Sequence, residues 1–423
     1  MLLEYKSLIR NTNFLCVWAS QLLSQLTINI MNFLLLVRLF AITGSAIATS
    51  LLWVAYALPA ILIGPFAAAT VDLIDRRKML MVTNLLQASV VLSYALVHET
   101  KFFLLYGVAF CYSFLNQFYL PAESATLPSV VEKNFLPYAN GLFFITQQGA
   151  LIIGFGIAGI LNQFFGYSNS LFLAAALLFL AFIAVSFLPP LKIERELPHT
   201  YQEAVEHFFT TIVQGYQFIK ENKVVLAPFL LLLALQVVLA MVAVNIPILA
   251  TELFQISPNS AGVLIIVPAG IGAIAGAIFI PRILRGEVRK KTIIDYGLMA
   301  LGFLLLGLGF LVPELNEPLR MIVGFILIIF TGLAFVSLLI PAQTFLQEKT
   351  PGGLRGRVFG NFWFLTTIAT LMPVIFSGAL TELLGIHSLL LLLSGLSLSA
   401  LVVSKRQGQR FIEKVEEIET KQI

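Results

Sequence analysis

Apolar residues run along this chain in twelve stretches of about twenty, separated by short polar breaks and, midway, by one longer polar segment from Leu191 to Lys223. The stretches occupy 13–39, 47–70, 78–98, 101–122, 136–165, 168–189, 224–252, 259–283, 291–312, 318–343, 355–382 and 386–404. A helix rising about 1.5 Å per residue crosses the roughly 30 Å of bilayer hydrocarbon in such a length. Hydrocarbon offers no partner to a backbone N–H or C=O, so spanning segments must satisfy themselves as helices. The pattern therefore predicts an all-α membrane protein with twelve transmembrane helices, numbered here as spans 1 to 12. It divides into an N-terminal bundle (1–190), a cytoplasmic linker (191–223), a C-terminal bundle (224–404) and a polar tail (405–423). Within the linker, Ala204, Phe208, Ile212, Tyr216 and Ile219 recur at helical spacing and predict an amphipathic surface helix. Asn11, Thr12 and Asn13 open the first stretch without a small-residue cleavage site, which predicts a retained span.

Composition excludes a soluble domain, because 59% hydrophobic and 11% charged residues leave too little polar surface to coat a core of this size. Charge sets orientation. Once the spans alternate, every one of the 26 Lys and Arg residues except Arg38, Lys101 and Arg320 falls on one side. By the positive-inside rule that side, with both termini and the linker, is cytoplasmic, as for a multi-pass protein of the cell membrane. The net charge of +4 is thus a topology signal, and with no continuous basic face it implies no nucleic-acid partner. Cys16 and Cys111 both fall inside spans, which argues against a disulfide framework.

The chain also repeats itself. A segment beginning PAESATLPSV at Pro121 and one beginning PAQTFLQEKT at Pro341 lie 220 positions apart, each expected at the cytoplasmic end of an even-numbered span. Duplicated six-helix halves would place them at equivalent positions, unless Pro and Ala coincide at two helix ends by chance.

Polar side chains at membrane depth must face protein or a wet cavity. On span 1, Gln21, Gln25, Asn29 and Asn32 follow spacings of four, four and three and share one face. Asn116 and Gln117 on span 4, Gln147 on span 5, Gln236 and Asn245 on span 7, and Asn361 and Trp363 on span 11 complete the candidate substrate contacts; interhelical packing is the alternative role for each. No carboxylate sits at a midplane, and Glu123 and Asp72 are the plausible carriers of a coupling proton. His98, His199, His207 and His387 read as isolated, solvated side chains. No phosphate-cradling G-x-x-x-x-G-K-[ST] string, HExxH or nucleophile elbow occurs, so neither primary pumping nor an enzyme is expected, and no cofactor or metal.

The run GPFAAATVDLIDRRKML, Gly64 to Leu80, resembles the signature loop of the major facilitator superfamily, with Ala68 where that family prefers Gly and Leu73 where it usually has Arg or Lys. The resemblance implies that Asp72 is the carboxylate at the bundle interface and that Arg76, Arg77 and Lys78 are the basic cluster of a cytoplasmic gate. The Pro-Ala start at Pro121, QGYQFIKENKVV entering span 7, and TPGGLRGRVFG from Thr350 to Gly360 are similar to the branch containing macrolide-efflux and siderophore-export proteins. Arg355 and Arg357 would then act at the cytoplasmic start of span 11. Span 5, GALIIGFGIAGIL with Gly149, Gly154, Gly156 and Gly159, resembles the superfamily's antiporter motif, with Phe155 in the place of Pro. What the resemblance implies is the major facilitator fold, a cavity lined by spans 1, 4, 7 and 10, a monomer, and proton-linked export of an amphipathic small molecule by alternating access. A lipid or lysolipid flippase or an uncoupled facilitator is the second reading, favoured by Phe155 and the missing midplane acid. A transport-dead receptor or assembly subunit is the third.

Overall fold

The computed structural model describes residues 8–97, 101–190, 201–284, 289–351 and 354–420. Every regular element among them is helical. Spans 1 to 6 are Thr12–Thr43, Ala46–Leu73, Arg76–Val97, Leu104–Val130, Leu136–Phe165 and Tyr167–Ser186. The linker helix is Tyr201–Glu221. Span 7 is Lys223–Val244 continued through Ile246–Ile248 and Leu249–Leu253, span 8 is Gly262–Ile266 with Val267–Leu284, and span 9 is Lys290–Leu306 with Gly307–Leu311. Spans 10 to 12 are Glu317–Lys349, Arg355–Leu384 and Ile386–Thr420. Eleven of these helices are long and apolar enough to cross a membrane by length and composition. Span 4 is the exception: its 27 residues suffice, but Tyr112, Asn116, Gln117, Tyr119 and Glu123 dilute its apolar character.

Each boundary has a local cause. Asn11 caps span 1 by accepting from the Phe14 N–H at 3.1 Å, and the Ser45 side chain accepts from Ala48 N–H at the start of span 2. Gly166 and Gly385 break the chain between spans 5 and 6 and between spans 11 and 12 with the same backbone conformation, φ 79° with ψ 167° and φ 78° with ψ 168°. Only glycine adopts it readily. The two glycines lie 219 positions apart, nearly the offset of the Pro121 and Pro341 segments, so the two six-helix bundles repeat in turn geometry as well as in sequence.

Two helix ends differ from expectation. Pro121 and Pro341 stand inside their helices, which continue to Val130 and Lys349. A proline forfeits one i−4 hydrogen bond, and in a packed span its neighbours hold the helix together past that loss. The helix of span 12 also runs to Thr420 through most of the predicted tail.

The distribution of the core shows how the bundles meet. One cluster joins both halves, with Ile30, Phe33, Leu34 and Ala158 from the first packed with Ile246, Ala261, Ile265 and Val312 from the second. These residues lie toward the face opposite the linker, here the far face. On the linker face each bundle has its own cluster. Phe14, Val71, Leu80, Leu127 and Val185 are drawn from the first half alone. Phe229, Ala342, Leu346, Val358 and Phe362 come from the second half and take in Ile219 of the linker helix.

Candidate transport path and gates

Two seams close the far face. The Glu382 carboxylate on span 11 accepts from Ser45 Oγ at 2.6 Å and from the Ile47 backbone N–H at 3.0 Å, so it clasps the start of span 2. An anion at a helix N-terminus meets otherwise unpaired N–H groups and the positive end of the dipole. Beneath it, Val374 of span 11 packs with Ala240 and Val244 of span 7 and with Trp53 of span 2. Spans 5 and 8 form the second seam: Asn162 Nδ2 donates to Asn259 Oδ1 at 2.8 Å. A Cβ built on Gly159 would lie 1.8 Å from the Asn259 carbonyl oxygen, so only glycine permits that approach. Gly154 lies against Asn29 of span 1 and Gly156 against Val267 of span 8, whereas a Cβ at Gly149 would meet nothing. The glycine stripe of span 5 is therefore a packing surface from Gly154 onward.

At the linker face, no hydrogen bond joins a span of one bundle to a span of the other among the described residues. Arg76 donates to Ala125 O at 2.8 Å and Ser129 Oγ at 3.0 Å, and Arg77 to Ser186 O at 2.6 Å. The signature-loop arginines thus fasten the ends of spans 4 and 6 within their own bundle, holding helix C-termini. Lys78 is exposed. The side chains of Asp72 and Arg355 lie outside the described residues, as do His98, His199 and the His207 side chain. Arg357 bonds Gln214 of the linker helix at 2.5 Å, and so holds linker rather than partner bundle. His387 was expected in solvent, yet its Nδ1 lies 2.7 Å from the Gly309 carbonyl oxygen, a group that the π-helical turn of span 9 leaves available.

The predicted substrate contacts separate into two groups. Gln25, Asn32, Gln147, Gln236 and Trp363 keep half-buried or exposed side chains with no hydrogen-bond partner among the described residues. The others are already engaged. Gln21 donates to Phe143 O at 3.1 Å, Asn29 to Gln25 O at 2.7 Å and Gln117 to Ser113 O at 3.2 Å, while Asn116 lies beside Tyr56. Two of these placements are corrections. Asn245 is fully buried between spans 7 and 11, donating to Ser377 Oγ at 3.0 Å and accepting from Thr381 Oγ1 at 2.7 Å. Asn361, 1% exposed, gives its amide to Ile212 O at 3.0 Å and Arg357 O at 2.9 Å. Buried amides need partners, and at these two sites neighbouring helices supply them.

A polar cluster missed by the sequence reading lies inside the N-terminal bundle. Tyr119 on span 4 donates to Glu123 Oε1 at 2.9 Å and receives the Ser24 hydroxyl at 3.0 Å, with Ser20 Oγ at 3.2 Å. Asn84 on span 3 donates to Ser20 Oγ at 3.0 Å. Asn84 Oδ1, both amide atoms of Gln87 and Gln21 Oε1 are buried without a hydrogen-bond partner among the described residues. Glu123 itself is 5% exposed, and no Lys or Arg lies within 4.0 Å among the described residues. Its depth is about 10 Å from the linker-face end of span 4, counting 1.5 Å per residue from Val130. Asn84 and Gln87, three apart on a span read only for its apolar content, were the available signal.

Twelve long helices in two repeated bundles, eleven of them long and apolar enough to cross a membrane, make this a polytopic membrane protein. The family model described as Major Facilitator Superfamily matches residues 17–374, and the chain belongs to that superfamily. Its relatives include the MFS-type transporter YfiS of Bacillus subtilis (strain 168), 28% identical with 98% of each chain covered. The multidrug efflux pump Tap of Mycolicibacterium fortuitum is 26% identical over 83% of this chain and 85% of its own. Macrolide efflux protein A of Streptococcus pyogenes is 23% identical over 90% and 92%. The resemblance to an efflux branch read from the motifs agrees with the last two. The crystal structure of the nucleoside transporter NupG has the same fold, with a TM-score of 0.71, 15% identity, and 92% of this chain and 98% of that one covered.

Proposed function

We propose that this protein exports an amphipathic small molecule across the cell membrane by alternating access, driven by protons that bind at Glu123. The observation that carries this reading is the asymmetry of the bundle interface, one shared apolar cluster on the far face against two separate clusters on the linker face. A molecule so arranged holds its path open toward the linker, and the charge bias of the loops makes that side the cytoplasm, with both termini and the linker there. Bundles divided at 191–223 would rock about the central site. Gln25, Asn32, Gln147, Gln236 and Trp363 offer amide and aromatic surfaces suited to a ligand with both polar and apolar parts. The efflux names of two relatives fit cargo of that kind.

Glu123 suits the coupling role by its surroundings: a buried carboxyl with a hydroxyl partner, no cation within 4.0 Å among the described residues, and a chain of hydroxyls and amides toward spans 1 and 3. Charge in such a place is costly unless water reaches it, so proton exchange follows bundle motion. The test is flux in proteoliposomes carrying an imposed pH gradient, with a panel of amphipathic dyes. Wild type should accumulate dye against its gradient, and Glu123→Gln should lose accumulation while keeping downhill exchange. Dye movement indifferent to the gradient in wild type would identify an uncoupled facilitator, and movement of labelled lipid without dye a flippase.

A further inference from the structure

Outside the interface between bundles, the C-terminal bundle carries a lateral groove of about 620 Å³ between spans 8, 9 and 10. Its floor is made by small residues, Gly297, Ala300, Ala334 and Ser337, and its walls by Ile280, Ile283 and Leu333. At the deep end stand Phe303 and Phe330, 61% and 51% exposed. At the linker-face end stand Thr292 and Tyr296, and span 9 begins just beyond them at Lys290, after its N-cap Arg289. From Thr292 to Phe303 the groove runs about 16 Å along the helix, counting 1.5 Å per residue, close to half of the roughly 30 Å of hydrocarbon. It is one leaflet deep.

The mouth is cationic. Arg289 is the N-cap of span 9, just ahead of Thr292 and Ile293 at the linker-face end of the groove. It is exposed, and no carboxylate lies within 4.0 Å of it among the described residues. Its neighbours are engaged: Lys290 pairs with Glu348, and Lys291 with Asp295 at 3.5 Å. Arg289 is thus a cation with no ion-pair partner among the described residues, at the end of an apolar channel of leaflet length, with the amphipathic Tyr296, 64% exposed, at the level where headgroups begin.

We propose that this groove is a specific site for an anionic phospholipid of the linker-side leaflet, with an acyl chain lying from Tyr296 to Phe303 and the headgroup phosphate on Arg289. A polar cargo molecule would find few polar groups there: the buried Ser337 hydroxyl already gives its proton to Ala334 O. A zwitterionic lipid would gain the groove but bring its own cation to Arg289. The site is separate from the transport path and does not depend on what the protein carries.

Native mass spectrometry of the full chain, released from nanodiscs of equimolar phosphatidylglycerol and phosphatidylcholine, tests the proposal. Wild type should retain one phosphatidylglycerol in preference to phosphatidylcholine by about fivefold, the ratio that one interfacial cation supplies. Arg289→Gln, a surface change that leaves packing alone, should retain either lipid equally. Ala300→Leu, which fills the channel, should retain neither above background, with Ala300→Ser as a control that keeps the space. Equal retention of both lipids by wild type, undiminished retention by Ala300→Leu, or an unchanged preference in Arg289→Gln would each overturn the site.

Discussion

Among side chains, the structure separates amides that hold helices from amides that keep no hydrogen-bond partner among the described residues, although the two look alike in sequence. Asn245 is fully buried with three polar partners, Met241 O, Ser377 Oγ and Thr381 Oγ1. Asn245→Leu should therefore cost on the order of 1–3 kcal/mol of stability, because Ser377 and Thr381 lose the amide that joins spans 7 and 11 in a dry site and keep only carbonyls of their own helix. Its effect on ligand affinity in the folded fraction should be small. Gln25 is half-buried and its side chain has no hydrogen-bond partner among the described residues, so on the proposed reading Gln25→Leu should leave the melting temperature nearly unchanged and weaken dye binding by about 1–2 kcal/mol, roughly five- to thirtyfold. Thermal melts and equilibrium binding on the same two purified variants check both, and an unstable Gln25→Leu of normal affinity would remove Gln25 from the site. The stripe at 21, 25, 29 and 32 was legible because i,i+4 spacing fixes a face. Which members were spoken for was not legible, because Gln21 and Asn29 find their partners in Phe143 O and in the helix's own Gln25 O. Such acceptors are backbone carbonyls, and every residue has one.

The linker helix shows most clearly, among the elements, what periodicity conveys and what it omits. The helix was legible from its apolar spacing, and Tyr201–Glu221 is observed. Its partner was not. Instead of lying only along the bilayer surface it docks on the start of span 11, where a Cβ on Gly215 would lie 2.2 Å from Asn361 Nδ2 and 2.9 Å from Arg357 O. Ile219 is buried in the C-terminal bundle's cluster, whereas Tyr216, expected on the same apolar stripe, is 50% exposed. The docking face is thus rotated toward Ile212, Gly215 and Ile219, set by a glycine that hydropathy scores as unremarkable. Gly215→Val should lift the helix, with the linker cut faster by trypsin at Lys220 and Lys223 while the spans stay intact. Limited proteolysis in detergent measures this, and an unchanged cleavage rate would mean that Asn361 and Arg357 give way without undocking. The far-face seam of span 5 was half legible: four glycines signalled close approach, but only the packed structure shows Gly154, Gly156 and Gly159 in contact and Gly149 free.

For the whole molecule, transport by alternation requires that the far face open and the linker face close, so whatever holds the far face shut sets the resting population. Two seams do so, Glu382 on Ser45 and Ile47, and Asn162 on Asn259 over Gly159. Gly159→Val places a branched side chain where a Cβ would already sit 1.8 Å from a backbone carbonyl oxygen, which cannot rotate aside. Overpacking of this kind costs about 1–3 kcal/mol, and it falls only on the state with that seam closed, so the population should shift by roughly five- to over a hundredfold toward the opposite state. Gly149→Val is the control, since a Cβ there meets nothing. With Cys16 and Cys111 first changed to alanine, a single cysteine at Gln147, exposed on the linker-side half of span 5, reports the linker face. One at Trp53, packed against Val374 in the far-face seal, reports the other. In Gly159→Val the Gln147→Cys reporter should lose reactivity toward a membrane-impermeant maleimide applied to inside-out vesicles, and the Trp53→Cys reporter should gain it in intact cells. Gly149→Val should label as the parent does. If Gly159→Val also labels as the parent, the seam over Gly159 does not govern the conformational balance, and closure rests on the clasp at Glu382 instead.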